Sequence, residues 1–387
     1  MAASTPPADK PPAGARRPGI PLGRVLGVPV FLHASWLLLA VFVTIAYGQV
    51  VAERLDLAPG APYLVGFGFV LCLVLSVLLH ELGHAVTARR YGIRVRGITL
   101  ELLGGYTEME GDAPRPGVEL VVSLAGPAVS LVLGVAAAIA TWLLPMDTVV
   151  GQVAFQLAAA NLIVAVFNTL PGLPLDGGRA LRAAVWAISD DRHLGTRVAG
   201  WSGRVVSAVT LIGASALLAS GLLTPFGFVF MALVAFTLWQ GATAAIRLAR
   251  ISARFPLIDL NLLARPVYTV PTGTPLAEAQ RRVAESGQRD GLLGVADSTG
   301  RLVALVHPEA ANAVPAERRP WISVDEVARS TSSLGAIPVE TKGEAVIRAV
   351  QANPGSEYLV TAGDDVVGVL RLTDLAHLLE PKGTRTP

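Results

Sequence analysis

Six long runs of apolar residues follow one another along the first two thirds of the chain, separated by short segments that carry most of the charges in this part. A helix needs about 20 apolar residues to cross the hydrocarbon core of a bilayer, and each run can supply them. The pattern therefore predicts a polytopic α-helical membrane protein with about six transmembrane helices. The runs span residues 29–48, 62–88, 118–144, 149–175, 205–223 and 226–248.

The distribution of arginine among the loops predicts the orientation of these helices. Arginines precede the first run and follow the second, fourth and sixth, as at Arg89, Arg90, Arg179 and Arg182. The alternate loops hold only Arg54. Cytoplasmic loops of membrane proteins are enriched in Lys and Arg. Both termini are therefore predicted to lie in the cytoplasm, with the helices in the plasma membrane.

The pattern changes after residue 255, where charges return and short β-rich runs alternate with amphipathic stretches. Runs such as 267–270 and 358–361 predict strands, and 276–286 and 344–352 have helical spacing. This part of the chain is expected to be a soluble α+β domain with an internal duplication. The predicted organisation is a disordered tail over 1–20, a transmembrane domain over 21–250, the duplicated domain over 259–380 and a polar tail over 381–387.

Composition narrows the class of protein. Hydrophobic residues make up 52% of the chain and charged residues only 16%, whereas soluble domains have nearer a quarter charged residues. This argues against a soluble enzyme and a disordered protein. The net charge of +2 indicates no nucleic-acid partner. With Cys72 as the single cysteine, an intramolecular disulfide and a cysteine-rich zinc module are excluded.

His80, Glu81 and His84 form an H-E-x-x-H motif near the end of the second run. Residues four apart on a helix share a face, so the two imidazoles can converge on one zinc ion while Glu81 stays beside it as a base. Short motifs also arise by chance. However, ionisable groups at the end of an otherwise uncharged spanning run are costly, which favours a functional role. The motif therefore predicts a zinc site.

A catalytic zinc site with an open position needs a third protein ligand. Asp176 follows Pro171 and Pro174 near the end of the fourth run, at the same expected membrane level as His84. The two prolines break the helix and allow the backbone to turn the carboxylate inward. From the residues alone, Asp176 is either the third ligand or a helix-terminal aspartate beside a turn.

These separated segments together resemble one known family. The H-E-x-x-H motif at 80–84, followed by N-x-x-P-x-x-P-L-D-G-G-R at 168–179, is similar to the site-2 protease family of intramembrane zinc metalloproteases, peptidase family M50. Residues 102–106 resemble the membrane-associated β-hairpin of that family, and 123–127 its small-residue segment. The resemblance covers roughly residues 20–250.

The resemblance implies an endopeptidase that cleaves a membrane-embedded segment of a partner protein within the lipid bilayer. The product is expected to be a cytoplasmic signalling fragment, such as one from an anti-sigma factor. The strand at Gly104 and Gly105 is expected to pair with the locally unwound substrate. By this resemblance, one Zn²⁺ per chain is held by His80, His84 and Asp176, Glu81 is the general base, and Asn168 stabilises the tetrahedral intermediate.

Residues 259–380 resemble a tandem pair of CBS (cystathionine-β-synthase-type) domains. Such pairs often bind adenine nucleotides and dimerise, which implies a regulatory module and a homodimer. The nucleotide motif of such domains is G-h-h-T/S-x-x-D. The second repeat retains the aspartate as Asp374 but has Arg371 at the Thr/Ser position. The first repeat has His307 at the Thr/Ser position and Ala310 in place of the aspartate. Asp374 is therefore the candidate ribose ligand. A purely structural, dimerising module is the alternative.

Two other classes of function are weighed against the protease. A membrane transporter or channel could also carry a CBS module, but it predicts repeated membrane segments and polar groups at mid-bilayer. The chain has no clear repeat of this kind, and its polar cluster lies towards the cytoplasmic helix ends. An inactive, chaperone-like homologue is disfavoured because Glu81 and the three candidate ligands are intact.

Overall fold

A computed structural model describes residues 19–101, 104–286 and 291–379. The predicted tails therefore lie outside the described residues, except for residues 19 and 20 of the first. The chain divides into two compact units, and the boundary between them follows Arg247. The first unit holds the apolar helices and the second holds the α+β repeats.

Among the described residues, seven helices form most of the first unit. Six of them are long and apolar enough to cross a membrane, so the predicted fold class is confirmed. Their outer faces carry exposed leucines and valines, as expected of surfaces that contact lipid. The helices are α1 (Ser35–Arg54), α2 (Ala61–Arg90), α3 (Pro116–Leu143), α4 (Val149–Thr169), the shorter α5 (Asp176–Ser189), α6 (Arg192–Ala219) and α7 (Pro225–Ser252).

A four-stranded sheet accompanies these helices. Its strands lie in the order β1 (Ile20–Val25), β2 (Val28–Leu32), β3 (Arg94–Glu101) and β4 (Gly104–Glu110). The β3–β4 pair is the hairpin that the sequence predicted, and β2 pairs with β3 in parallel. Because β4 pairs only with β3, it forms one edge of this sheet within the described residues.

Several sequence-based helix boundaries need correction in this unit, including that of α6, which begins at Arg192 and not at residue 205. Residues 29–32 were assigned to the first spanning run, but they belong to β2, and α1 begins at Ser35. Hydropathy alone does not separate a buried strand from a helix end, and Val30 is buried opposite Ile98. The fourth run also ends early, at Thr169, because the following prolines cannot continue a helix.

The second unit contains two repeats of one topology. In each repeat, a first strand is followed by a helix and then by a second strand, which pairs in parallel with the first. The second strand also pairs antiparallel with the third. The elements are α8 (Leu260–Leu263), β5 (Val267–Pro271), α9 (Leu276–Glu285), β6 (Leu292–Ala296), β7 (Leu302–Val306), α10 (Pro308–Ala313), β8 (Ala328–Ser330), β9 (Gly335–Pro338), α11 (Glu344–Ala352), β10 (Glu357–Ala362), β11 (Asp365–Arg371) and α12 (Leu372–Leu379).

Each repeat buries its own apolar cluster. In the first repeat, Leu276 of α9 packs with Val295 of β6, and in the second, Val346 of α11 packs with Ile337 of β9. Amphipathic helices that cover one sheet face explain the alternation of polar and apolar residues after residue 255.

Candidate metal centre

Three side-chain atoms that can bind a metal converge between α2 and the start of α5. The Nε2 atoms of His80 and His84 lie 3.3 Å apart, and each lies 3.2 Å from Oδ2 of Asp176. Ligand atoms about 2.0–2.1 Å from a zinc ion at tetrahedral angles are separated by about 3.3–3.4 Å. The spacing of the three atoms therefore fits three corners of a zinc coordination tetrahedron.

Local structure explains this convergence. His80 and His84 lie one turn apart on α2, so their side chains project from one face. Asp176 is the first residue of α5, which starts after the proline-containing segment that follows α4. Gly177 packs against the end of α4, where a Cβ atom would overlap the carbonyl oxygen of Thr169. The glycine after the aspartate thus allows the close approach that brings the carboxylate to the histidines.

The histidine rings are held by groups on α3. Nδ1 of His84 donates a hydrogen bond to the carbonyl oxygen of Val122 over 2.7 Å, and Nδ1 of His80 shares a hydrogen bond with Oγ of Ser130 over 2.8 Å. A neutral imidazole that carries its proton on Nδ1 has a free lone pair on Nε2. In His84 this lone pair faces Oδ2 of Asp176 at 3.2 Å. Both atoms are hydrogen-bond acceptors, and a cation between them makes this distance favourable.

Space for the cation is maintained by Gly126 of α3. A Cβ atom added to this residue would overlap Nε2 of His84 and lie 2.6 Å from Nε2 of His80. Any other residue would therefore fill the position on which the ligand atoms converge. This gives a physical reason for the small-residue segment at 123–127. Two imidazoles, one carboxylate and a clear cradle fit Zn²⁺ with one position left for a reactant.

Glu81 lies next to the three converging side chains but is not one of them. Glu81 is only 5% exposed. Its Oε2 accepts a 2.7 Å hydrogen bond from the hydroxyl of Thr107 on β4. Gly105 of β4 also lies close, since an added Cβ atom would be 2.9 Å from Cγ of Glu81. The edge strand and the carboxylate are thus in direct contact.

Asn168 lies in the last turn of α4 and is half-buried. Within the described ranges, no hydrogen bond joins its side chain to His80, His84 or Asp176. Its role as a donor to the reaction intermediate therefore stays a prediction. His33 lies outside the centre: it is exposed, and its Nδ1 accepts a hydrogen bond from the backbone N–H of Ser35.

Sequence reasoning missed the supporting groups of this centre. Thr107, Ser130 and the carbonyl of Val122 are distant from the motif along the chain, and a backbone carbonyl has no signature in the sequence. It also missed Asn161, which donates hydrogen bonds to Oγ of Ser76 and to the carbonyl of Leu157, and so joins α4 to α2. Only the small residues at 123–127 pointed to this face of α3.

In the second unit, the predicted ribose ligand Asp374 already has a cationic partner. Arg265 donates two hydrogen bonds to it, from Nε and Nη2, each of 2.7 Å. This guanidinium holds the pKa of the Asp374 carboxyl below its usual value. His307 and Ala310, the corresponding residues of the first repeat, lie immediately before and within α10.

A cavity of about 450 Å³ lies beside β10 of the second repeat. Its lining includes Arg329, the turn between α11 and β10, and Glu357 with Tyr358 of β10. Glu357 forms ion pairs with Arg329 and Arg371. Arg371, which stands at the Thr/Ser position of the nucleotide motif, therefore pairs with a carboxylate of the same repeat.

Comparisons with known proteins place the first unit in a family. The model of peptidase family M50 matches residues 68–157 and 144–213. Rip3 of Mycobacterium tuberculosis, which is named as a zinc metalloprotease, is 34% identical over 370 residues, covering 94% of this chain and 93% of Rip3. The chain belongs to peptidase family M50. The suspected family is thereby confirmed, and this M50 chain is a multi-pass membrane zinc metalloprotease.

Similar proteins span both units. A zinc metalloprotease homologue from Synechocystis is 30% identical over 374 residues, covering 93% of the M50 chain and 95% of the homologue. The solved site-2 protease of Methanocaldococcus jannaschii is 27% identical, with a TM-score of 0.42, and covers 59% of this chain and 94% of that one. The CBS-domain protein ATU1752 of Agrobacterium tumefaciens is 15% identical, with a TM-score of 0.24, and covers 31% and 88%.

Proposed function

We propose that this chain cleaves a transmembrane segment of a partner protein at the centre formed by His80, His84 and Asp176, and that it releases a fragment into the cytoplasm. The convergence of these three ligand atoms at 3.2–3.3 Å carries the proposal. A signalling substrate, such as a membrane-anchored anti-sigma factor, fits this activity. Membership of a peptidase family decides against the transporter or channel.

Each residue of the centre has a chemical role in this proposal. When bound, zinc supplies the Lewis acidity that makes water a nucleophile near neutral pH. Glu81 accepts the proton of that water and delivers it to the leaving amine. Thr107 holds the Glu81 carboxylate by a hydrogen bond and so fixes the oxygen that stays free for the proton. Asn168 donates a hydrogen bond to the oxyanion of the tetrahedral intermediate.

Substrate positioning is assigned to the edge strand β4. A helical substrate hides its carbonyls in hydrogen bonds, so the segment must unwind before attack. An extended segment can add to a sheet edge through backbone hydrogen bonds, and β4 is such an edge. Because Gly105 of this strand contacts Glu81, a peptide paired with β4 would run past the base.

Regulation and location complete the proposal. The arginine-rich loops support cytoplasmic termini, which would put the second unit in the cytoplasm. We propose that this unit forms a homodimer and adjusts cleavage according to an adenine nucleotide bound through Asp374. Since Arg265 occupies that carboxylate, ribose must displace the guanidinium or share the oxygens with it.

The proposal is tested with the full-length protein reconstituted in liposomes together with candidate single-pass substrates. Wild type should yield a fragment whose new terminus maps within the membrane segment. Glu81→Gln should lower cleavage by about 10²–10⁴-fold, the usual contribution of a general base, while zinc content stays at one per chain. The matched control is Glu53→Gln, at an exposed glutamate of α1, and it should cleave as wild type does. Full activity in Glu81→Gln would refute the assignment of the base.

A further inference from the structure

A buried ion pair joins α3 to α5 beside the metal centre. Glu119, in the first turn of α3, is 1% exposed. Its Oε1 accepts a hydrogen bond of 2.7 Å from Nε of Arg182 and a shorter one from Nη2. Arg182 lies on α5, and its side chain is 19% exposed. Both charges are therefore largely withdrawn from water.

This pair is a costly way to hold two helices together. Removal of two charges from water costs as much as their attraction returns, and an apolar pair of similar size often gives equal or greater stability. The other carboxylate oxygen of Glu119, Oε2, is buried without a hydrogen-bond partner among the described residues. In addition to what apolar packing provides, an ion pair with two hydrogen bonds fixes the direction and the distance between the two helices that carry it.

The two helices that the pair joins carry the two halves of the metal centre. On α3, the carbonyl of Val122 and the hydroxyl of Ser130 orient His84 and His80, and Gly126 leaves the space between them. On α5, Asp176 supplies the third ligand atom. Glu119 precedes Val122 by about one helical turn, and Arg182 follows Asp176 by less than two turns. The ion pair thus sets the position of the α3 groups that orient the two histidines relative to the Asp176 carboxylate on α5.

We infer that Glu119 and Arg182 are positioning residues that hold Asp176 in register with His80 and His84. Among the described residues, no hydrogen bond or ion pair joins either of them to His80, His84 or Asp176, and they act through α3 and α5. The inference rests on the metal centre proposed above. A carboxylate that shifts by a few tenths of an ångström no longer matches the zinc tetrahedron, so metal affinity is the property that the pair protects. Loss of supporting groups around metal ligands typically lowers affinity 10–100-fold.

The chain offers a matched control pair. Asp112, between β4 and α3, pairs with Arg192 at the start of α6. The Asp112 side chain is 72% exposed, and an exposed ion pair contributes little. Arg192→Gln removes a guanidinium that is 25% exposed, close to the 19% of Arg182, and it leaves only the exposed Asp112 without this partner. It should change zinc affinity by less than about twofold.

The test measures zinc affinity of the full-length protein in detergent by competition with a chromophoric chelator, together with thermal stability and the visible absorption spectrum of the Co²⁺-loaded form. Glu119→Gln and Arg182→Met should each weaken zinc binding about tenfold or more and alter the Co²⁺ bands. Arg182→Lys should recover part of the affinity, since it keeps the charge but loses the two-pronged geometry.

The double variant Glu119→Leu/Arg182→Met separates positioning from stability. Apolar side chains can restore packing, so its melting temperature should return close to that of wild type. Its zinc affinity should nevertheless stay about tenfold low, because an apolar contact constrains the offset between two helices less than a pair of directed hydrogen bonds does. Wild-type zinc affinity and wild-type Co²⁺ bands in this double variant would overturn the inference. His80→Ala is measured in parallel: if it too keeps wild-type zinc affinity, the metal centre itself is wrong, and the two failures are distinguished.

Discussion

Asp176 in the first unit and Asp374 in the second are both partly buried carboxylates in the first turn of a helix, yet their partners differ in charge. Asp176 faces the Nε2 atoms of two histidines, one of which is fixed with its proton on the opposite nitrogen. Asp374 faces a guanidinium that already compensates its charge. The first arrangement is incomplete without a cation, whereas the second is complete as it stands.

The comparison shows what distinguishes a ligand from a structural carboxylate. A ligand site has acceptor atoms that converge, supporting groups that orient them, and a space that no side chain fills. Gly126 provides that space for Asp176. For Asp374, the two hydrogen bonds from Arg265 already engage both carboxylate oxygens. A nucleotide bound as proposed would therefore compete with hydrogen bonds inside the protein, whereas a metal bound to Asp176 as proposed would not.

The largest expected difference is between the two aspartate variants in the cleavage assay. Asp176→Ala removes one of the three proposed zinc ligands, so it should lose stoichiometric zinc and show no cleavage above background. Asp374→Ala should keep one zinc per chain and measurable cleavage. The measurement is zinc content by atomic emission, together with product formation in liposomes. Stoichiometric zinc in Asp176→Ala would show that this carboxylate resembles Asp374 and is structural.

Gly126→Ala should come next in size. The added methyl group would occupy the space between the histidine Nε2 atoms, so zinc affinity should fall at least about 100-fold, comparable with loss of strong supporting groups. The control is Gly213→Ala on α6, where an added Cβ atom meets nothing within 4 Å. It exchanges the same residues within a spanning helix and should leave zinc binding unchanged. Equal zinc affinity in both variants would contradict the cradle assigned to Gly126.

The same contrast explains how much of the molecule could be predicted from its sequence. His80 and His84 are four residues apart on one helix, so the local pattern is sufficient for them. Asp176 could be assigned as the third ligand only through the family resemblance, because the turn that brings it back to the histidines depends on tertiary packing. The partner of Asp374 is 109 residues away along the chain, and no local pattern identifies it. The strand β2 was predicted as helix because apolar runs look alike in either structure.

A smaller effect is expected for nucleotide binding by the second unit. Hydrogen bonds from ribose hydroxyls to a carboxylate contribute about 1.5–3 kcal/mol, so Asp374→Ala should weaken binding about tenfold or more. Arg265→Ala should strengthen it, because the carboxylate is then free. Calorimetry on the full-length protein with AMP, ADP and ATP measures both, and His307→Ala is the control in the first repeat. If no nucleotide binds to any variant at millimolar concentration, the unit is a structural, dimerising module.

The smallest expected effect is the pH dependence of the Arg265–Asp374 pair. The hydrogen bonds from Arg265 lower the pKa of Asp374 in the folded unit, while the unfolded chain keeps a pKa near 3.9. The pair therefore stabilises the fold fully above about pH 5, and this contribution is lost as the pH falls through the lowered pKa. Both side chains are partly exposed, so the contribution is about 1 kcal/mol.

Urea unfolding of a fragment spanning residues 253–387 measures this contribution, as the change in the free energy of unfolding between pH 3 and pH 7. Asp374→Asn should be less stable than wild type at pH 7 and should approach it at pH 3, whereas Asp365→Asn, at an exposed position on β11, should follow wild type throughout. A constant gap between Asp374→Asn and wild type would mean that the carboxylate is not held by charge, and the contrast with Asp176 would then lose its basis.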